Sequence, residues 1–184
     1  MTHKAVFLDR DGVINIDHGY VYQPEEFEFV PGVFEACQKF HALGYLIVVV
    51  TNQSGIGRGY YTVEDFNTLS IWMRKAFQAH DIPIAAIEFC PHHPEKATEE
   101  YLKDCECRKP RPGMLIKAAE DWDIDLSQSI MIGDKCSDMQ AAQASGVPMR
   151  VLVAKNGEKE RLQTLNCPEA THHFLDLQAF SHTL

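Results

Sequence analysis

Short apolar runs alternate with amphipathic stretches along the chain. Leu46 to Val50 is an unbroken aliphatic run, the pattern of a strand covered on both faces. Ala5 to Leu8, Ala85 to Phe89, Ser129 to Ile132 and Met149 to Val153 predict further strands. Between them the period changes. Val33 to Leu43 places Phe34, Cys37, Phe40 and Leu43 on one helical face and stops at Gly44. Thr62 to His80 predicts a long helix with Thr62 as its N-cap and Asp65 three residues later. Met114 to Trp122, introduced by Pro112-Gly113, and Ser137 to Ala144, closed by Gly146, are also helical. After Lys155 the pattern weakens to helices at 158–165 and 176–182. Strands and helices in this order predict an α/β fold, a doubly wound (Rossmann-like) parallel sheet with right-handed crossovers.

A length of 184 residues, 45% of them hydrophobic, suits a single domain spanning 1–184 with a sizeable core. No apolar run approaches the roughly 20 residues of a membrane span. The start, Met1-Thr2-His3-Lys4, leads straight into the first strand without a signal-peptide core, so a cytoplasmic location is expected. With 17 Lys and Arg against 26 Asp and Glu, the net charge of -9 opposes binding to a nucleic-acid backbone. In a reducing compartment the six cysteines are expected to be thiols or metal ligands, not bridges. No interface stripe stands out, and a monomer is expected.

Ligands of doubly wound sheets bind beyond the carboxyl ends of the strands. After the first strand come Asp9-Arg10-Asp11-Gly12, two carboxylates in a tight turn that suit a hard divalent cation such as Mg²⁺ or, alternatively, a solvated acidic turn. After the second come Thr51-Asn52-Gln53-Ser54-Gly55-Ile56-Gly57-Arg58-Gly59, a phosphate cradle or a bland flexible loop. The dinucleotide pattern G-x-G-x-x-G fails there, because Gly57 and Gly59 are followed by Tyr60 and Tyr61. After the fourth come Gly133-Asp134-Lys135-Cys136-Ser137-Asp138, whose acids could complete a Mg²⁺ site or cap a helix. Cys107-Arg108-Lys109-Pro110-Arg111 concentrates three cations in a proline-locked run, an anion site or a solvated loop. Each signal is modest alone; their conjunction at the strand ends of one sheet is not.

In this order the motifs resemble the haloacid dehalogenase-like phosphatase superfamily over residues 4 to about 153: D-x-D-G at Asp9, the strand-end Thr51, Lys109 before a helix, and G-D-x-x-x-D at Gly133. The finer strings, including Asp9 to Asn15, Thr51 to Gly59 and Cys105-Glu106-Cys107-Arg108-Lys109-Pro110, resemble its heptose 1,7-bisphosphate 7-phosphatases, with histidinol-phosphate phosphatases as close relatives. The resemblance implies a Mg²⁺-dependent phosphomonoester hydrolase of lipopolysaccharide-core sugar synthesis, with a small-molecule sugar bisphosphate as its partner. It implies Asp9 as nucleophile and Asp11 as general acid and base. Mg²⁺ would be held by Asp9, the Asp11 carbonyl and Asp134, while Thr51, Arg108 and Lys109 neutralise the phosphoryl oxygens.

Cys90-Pro91-His92 and Cys105-Glu106-Cys107 supply three thiols and an imidazole, the donor set of a closed structural Zn²⁺ site. Their one-residue spacings are tighter than usual, and His93 is an alternative ligand. The resemblance favours Cys90, His92, Cys105 and Cys107, since that subfamily carries zinc in the same loop. Cys37 reads as helix core and Cys136 as inert, while Cys167 lacks a partner; His172-His173 reads as surface.

The segments between motifs are too short for a cap domain, so the resemblance is to a capless form with an open mouth. Specificity then falls to loops at 16–24, 53–61 and 91–112. Candidate substrate contacts are Asp17, His18, Gly19 and Tyr20, then Asn52, Gln53, Ser54 and Arg58. Lys135 and Arg111 are candidates for a second phosphate.

Overall fold

The computed structural model describes residues 1–161 and 166–184. Its six-stranded sheet has the order β3-β2-β1-β4-β5-β6 and every pairing is parallel. The strands are β1 (Lys4–Leu8), β2 (Tyr45–Asn52), β3 (Ile84–Cys90), β4 (Ile130–Gly133), β5 (Met149–Val153) and β6 (His172–Phe174). The helices are α1 (Val33–Ala42), α2 (Ser54–Gly57), α3 (Val63–Gln78), α4 (Gly113–Trp122), α5 (Cys136–Ser145) and α6 (Leu177–Ser181). The order steps outward from β1 to β3 on one side and from β4 to β6 on the other. The switch point lies between β1 and β4, where such sheets open a ligand crevice.

Alternation along the central strands explains the layers. Val6, Leu8, Ile47 and Val49 face one way and pack with Phe40 of α1, Phe77 of α3 and Phe180 of α6. Ala5, Phe7, Val48 and Val50 face the other way, toward Leu115 and Ala118 of α4 and Ala141 and Ala142 of α5. Both faces being covered is why these strands read as continuous apolar runs. Helix α3 starts as its sequence predicts: Thr62 and Asp65 exchange side-chain-to-backbone hydrogen bonds of 2.9 and 3.0 Å.

Three expectations change. The edge strand β6 and the one-turn α2 are absent from the sequence reading, being too short to display a period. The expected helix at 158–165 is a 3-10 turn over Lys159–Arg161, and residues 162–165 lie outside those described. Cys136 and Cys167 are not free thiols but form a disulfide across 31 positions. Parallel order puts the start of α5 and the approach to β6 on the same side of β5, a proximity invisible in sequence spacing. His172 and His173 are exposed, as expected. No helix among the described residues is long and apolar enough to cross a membrane.

Candidate active site

The ends of β1, β2 and β4 converge with the loop before α4 around a cleft of about 320 Å³. Its walls include Asp9, Asp11, Lys109 and Asp138 from the charged motifs. Gly12 makes the turn between β1 and the cleft possible: its φ is 92°, and a Cβ there would sit 2.5 Å from Asp134 Oδ2. The fourth position of D-x-D-G is therefore fixed by both backbone conformation and the approach of a carboxylate.

Lys109 is the hub. Its Nζ donates to Asp9 Oδ1 at 3.0 Å and to the Val50 carbonyl at 2.8 Å, and pairs with Asp138 Oδ1 at 2.6 Å. Burial opposes its charge, but Asp138 and Asp9 outweigh burial and hold the ammonium above the ordinary lysine range. Asp138 explains the spacing of G-D-x-x-x-D. From the first turn of α5 its Oδ2 accepts the Lys135 backbone N–H at 3.1 Å, leaving Oδ1 for Lys109.

Asp9, Asp134 and Asp138 bring carboxylate oxygens within 4.8 Å of one another. Asp134 is buried, and among the described residues neither of its oxygens meets a hydrogen-bond donor. Burial first, then the charges of Asp9 and Asp138, push its pKa up to about 9. A buried carboxylate with two orphaned oxygens beside other carboxylates is the donor chemistry of a hard divalent cation. The site fits Mg²⁺ on these grounds.

The second cluster is equally well defined. Cys90 Sγ lies 3.4 Å from Cys105 Sγ and 3.5 Å from His92 Nδ1; Cys107 Sγ lies 3.4 Å from Cys105 Sγ and 3.3 Å from His92 Nδ1. These separations are far too long for disulfides. They approach the edges of a tetrahedron with Zn–S and Zn–N bonds, about 3.4–3.8 Å. His93, the alternative, stands outside this cluster, and its Nδ1 accepts the backbone N–H groups of Glu95 and Lys96 at 3.1 and 2.9 Å. The cluster stands one residue before Arg108, which lines the cleft and whose Nη1 reaches the His92 carbonyl at 3.5 Å.

The expected substrate contacts divide. Asp17, Gly19, Tyr20, Asn52, Gln53, Ser54, Arg108 and Lys135 line the cleft. Asp17 is also tied to Lys155 at 2.8 Å, and its pKa falls below the ordinary range because that pairing and the Gly19 N–H outweigh burial. Asn52 grips the Lys109 backbone from both sides, donating to its carbonyl at 3.2 Å and accepting its N–H at 3.0 Å. Thr51 is buried, and its hydroxyl accepts Gln53 Nε2 at 2.8 Å. Three side chains turn elsewhere. His18 pairs with Glu28 at 3.0 Å, and Arg58 lies over the ring of Tyr20. Arg111 forks Asp104 and Glu106 at 2.9 and 2.8 Å instead of facing a second phosphate. In each case a carboxylate or ring nearby in space engages the side chain, which spacing alone does not reveal. The sequence reading missed Tyr61 and Ser137 in the cleft wall. Tyr61 carries no motif signal; Ser137 lay inside one, concealed as a helix position.

Residues 106–178 match the HAD-hydrolase-like family. The chain is 49% identical over 153 residues to the D-glycero-beta-D-manno-heptose-1,7-bisphosphate 7-phosphatase of Vibrio cholerae, covering 83% of this chain and 82% of that one. It is 50% identical over 153 residues to the D-glycero-alpha-D-manno-heptose-1,7-bisphosphate 7-phosphatase of Burkholderia mallei, covering 83% and 81%. Among solved structures, a D,D-heptose 1,7-bisphosphate phosphatase from B. bronchiseptica, complexed with magnesium and phosphate, superposes with a TM-score of 0.83. The two are 32% identical and the match covers 98% of this chain and 97% of that one.

Proposed function

Because the chain belongs to the heptose 1,7-bisphosphate 7-phosphatases of the haloacid dehalogenase-like superfamily, we infer that it removes the 7-phosphate of D-glycero-D-manno-heptose 1,7-bisphosphate through an aspartyl-phosphate. The observation that carries the chemistry is the Asp9–Lys109–Asp134 arrangement: a carboxylate beside a buried ammonium and a second carboxylate with both oxygens orphaned.

An anion attacking a phosphate dianion faces a Coulomb barrier that only nearby positive charge lowers. Lys109 holds Asp9 in place and presents its ammonium to the reacting group. Asp9 forms a bond to phosphorus as the bond to the sugar oxygen breaks, and Asp11 gives that oxygen a proton. In the second half Asp11 takes a proton from water, which attacks the aspartyl-phosphate and regenerates Asp9. Arg108 and Thr51 contact the phosphoryl oxygens. Asp9, the Asp11 carbonyl and Asp134 would hold Mg²⁺, which when bound supplies further charge neutralisation at those oxygens. Asp17, Gly19, Tyr20, Asn52, Ser54 and Lys135 form the sugar side of the mouth.

We read 1–184 as one capless phosphatase domain, monomeric and cytoplasmic. Phosphate release in Mg²⁺ tests the assignment, with heptose 1,7-bisphosphate, histidinol phosphate and fructose 1,6-bisphosphate compared side by side. Preference for the heptose with loss of its 7-phosphate supports it. Turnover mainly of histidinol phosphate transfers the same chemistry to histidine synthesis, and no release from any of the three removes the functional reading.

Cys90, His92, Cys105 and Cys107 would hold a structural Zn²⁺, which when bound would brace a loop with little apolar content against the cleft. One equivalent of zinc per chain is expected by metal analysis. Cys107→Ser should lose that zinc and lower the melting temperature. Because Arg108 and Lys109 follow directly, kcat should fall at least about tenfold, the scale on which a displaced cation acts. A zinc-free variant with wild-type kcat would show that the loop holds its shape unaided.

A further inference from the structure

Asp11 is held more tightly than an acid–base group facing a cleft needs to be. Its Oδ1 accepts Arg10 Nε at 3.3 Å, Arg10 Nη2 at 3.0 Å and Asn15 Nδ2 at 3.0 Å. Its Oδ2 accepts Arg10 Nη2 at 3.1 Å and Gln53 Nε2 at 3.0 Å. Arg10 is itself buried, 2% exposed, with Nη2 also on the Val21 carbonyl at 2.8 Å. Three donor contacts saturate Oδ1. Oδ2 shares one donor with Oδ1 and has only Gln53 to itself, so it is the less engaged oxygen and the one left to face the leaving group.

Gln53 is placed to aim that oxygen. One amide hydrogen serves Asp11 Oδ2 and the other Thr51 Oγ1 at 2.8 Å. Its carbonyl oxygen accepts the buried Tyr61 hydroxyl. That single donor fixes which end of the amide faces the carboxylate; a flipped Gln53 would set oxygen against oxygen. Every hydrogen-bonding atom of the Gln53 side chain is thus engaged within the protein, which does not suit the substrate contact that its loop position suggested.

We propose that Gln53, oriented by Tyr61, is a positioning residue that directs Asp11 Oδ2 at the leaving-group oxygen and ties it to Thr51 on the phosphoryl side. The proposal rests on the phosphatase reading above and adds residues that act through Asp11. As Asp9 bonds to phosphorus and the ester P–O bond breaks, the proton on Oδ2 passes to the departing oxygen. An alkoxide needs that proton, whereas an aryl oxide such as p-nitrophenolate leaves without it.

The test measures kcat and KM of Tyr61→Phe and Gln53→Met on heptose 1,7-bisphosphate and on p-nitrophenyl phosphate. Tyr61→Phe removes only a hydroxyl and keeps the ring stacked on Tyr22, so it decides the matter even if Gln53→Met folds poorly. Both variants should lose about 10- to 100-fold in kcat/KM on the sugar phosphate, short of the roughly 10²- to 10⁴-fold that a complete general acid contributes. On the aryl ester the loss in kcat/KM, which reports phosphoryl transfer before the hydrolysis step that both substrates share, should stay within about threefold. Equal losses in kcat/KM on both substrates would mean a structural role and overturn the proposal, as would no loss on either. A wild-type enzyme inactive toward sugar phosphates would instead remove the phosphatase reading itself.

Discussion

Asp9→Asn should lower kcat by on the order of 10⁴-fold or more, as loss of a nucleophile does elsewhere, while making the metal-free protein no less stable. The amide keeps the shape of the carboxylate and can still accept the Lys109 hydrogen bond through Oδ1, but it cannot form the aspartyl-phosphate. Stability moves the other way because three carboxylates, Asp9, Asp134 and Asp138, face one buried ammonium. Asp134 shows the consequence. Its pKa rises to about 9 in the fold from an unfolded value near 3.8, through burial and then the charge of Asp9. Between those values the folded state binds the additional proton, so the metal-free wild type loses stability as pH rises. Removing the Asp9 charge should flatten that decline. Thermal melts in EDTA from pH 5 to 9, set beside steady-state kinetics, test both halves. Residual turnover within tenfold of wild type would exclude Asp9 as nucleophile.

The charged motifs were legible because the chemistry needs particular residues at the ends of particular strands, and strand ends are marked by apolar runs. D-x-D-G, Thr51 and G-D-x-x-x-D each follow such a run, and Lys109 is marked instead by the proline-locked cationic run before α4. What escaped was the wiring between them. Asn52 and Gln53 are amides in a glycine-rich loop, residues that serve equally for substrate or for internal bracing. Only the structure shows Asn52 gripping the Lys109 backbone and Gln53 joining Asp11 to Thr51. Arg10 reads as a filler between two acids yet is among the largest fully buried side chains. The Cys136–Cys167 bridge and strand β6 escaped for a related reason: their partners are distant in sequence and the segments are short.

Replacing the hub cation separates the same cluster into its electrostatic and catalytic parts. Lys109→Met should cost on the order of 10³-fold in kcat, the scale of removing a preorganised charge from a developing anion. It should also destabilise the fold, since it strands Asp138, whose side chain is 2% exposed, without its ammonium. Breaking one side of a buried pair typically costs about 3–5 kcal/mol. The cost must depend on pH. Burial already holds the Asp138 carboxyl above the ordinary range, with Lys109 the leading opposing influence. Without Lys109 its folded pKa rises further. Stability is therefore retained below the unfolded value of 3.8, where the carboxyl is protonated in both states, and is lost as pH rises above it. Lys109→Met combined with Asp138→Asn removes the stranded charge and should recover most of the stability, but none of the activity. A double-mutant cycle read by denaturant melts at pH 5 and 8, with kcat measured alongside, distinguishes the two roles. Recovery of turnover in the double variant would mean that Lys109 serves only to neutralise Asp138; recovery of stability alone assigns its ammonium to the phosphoryl group.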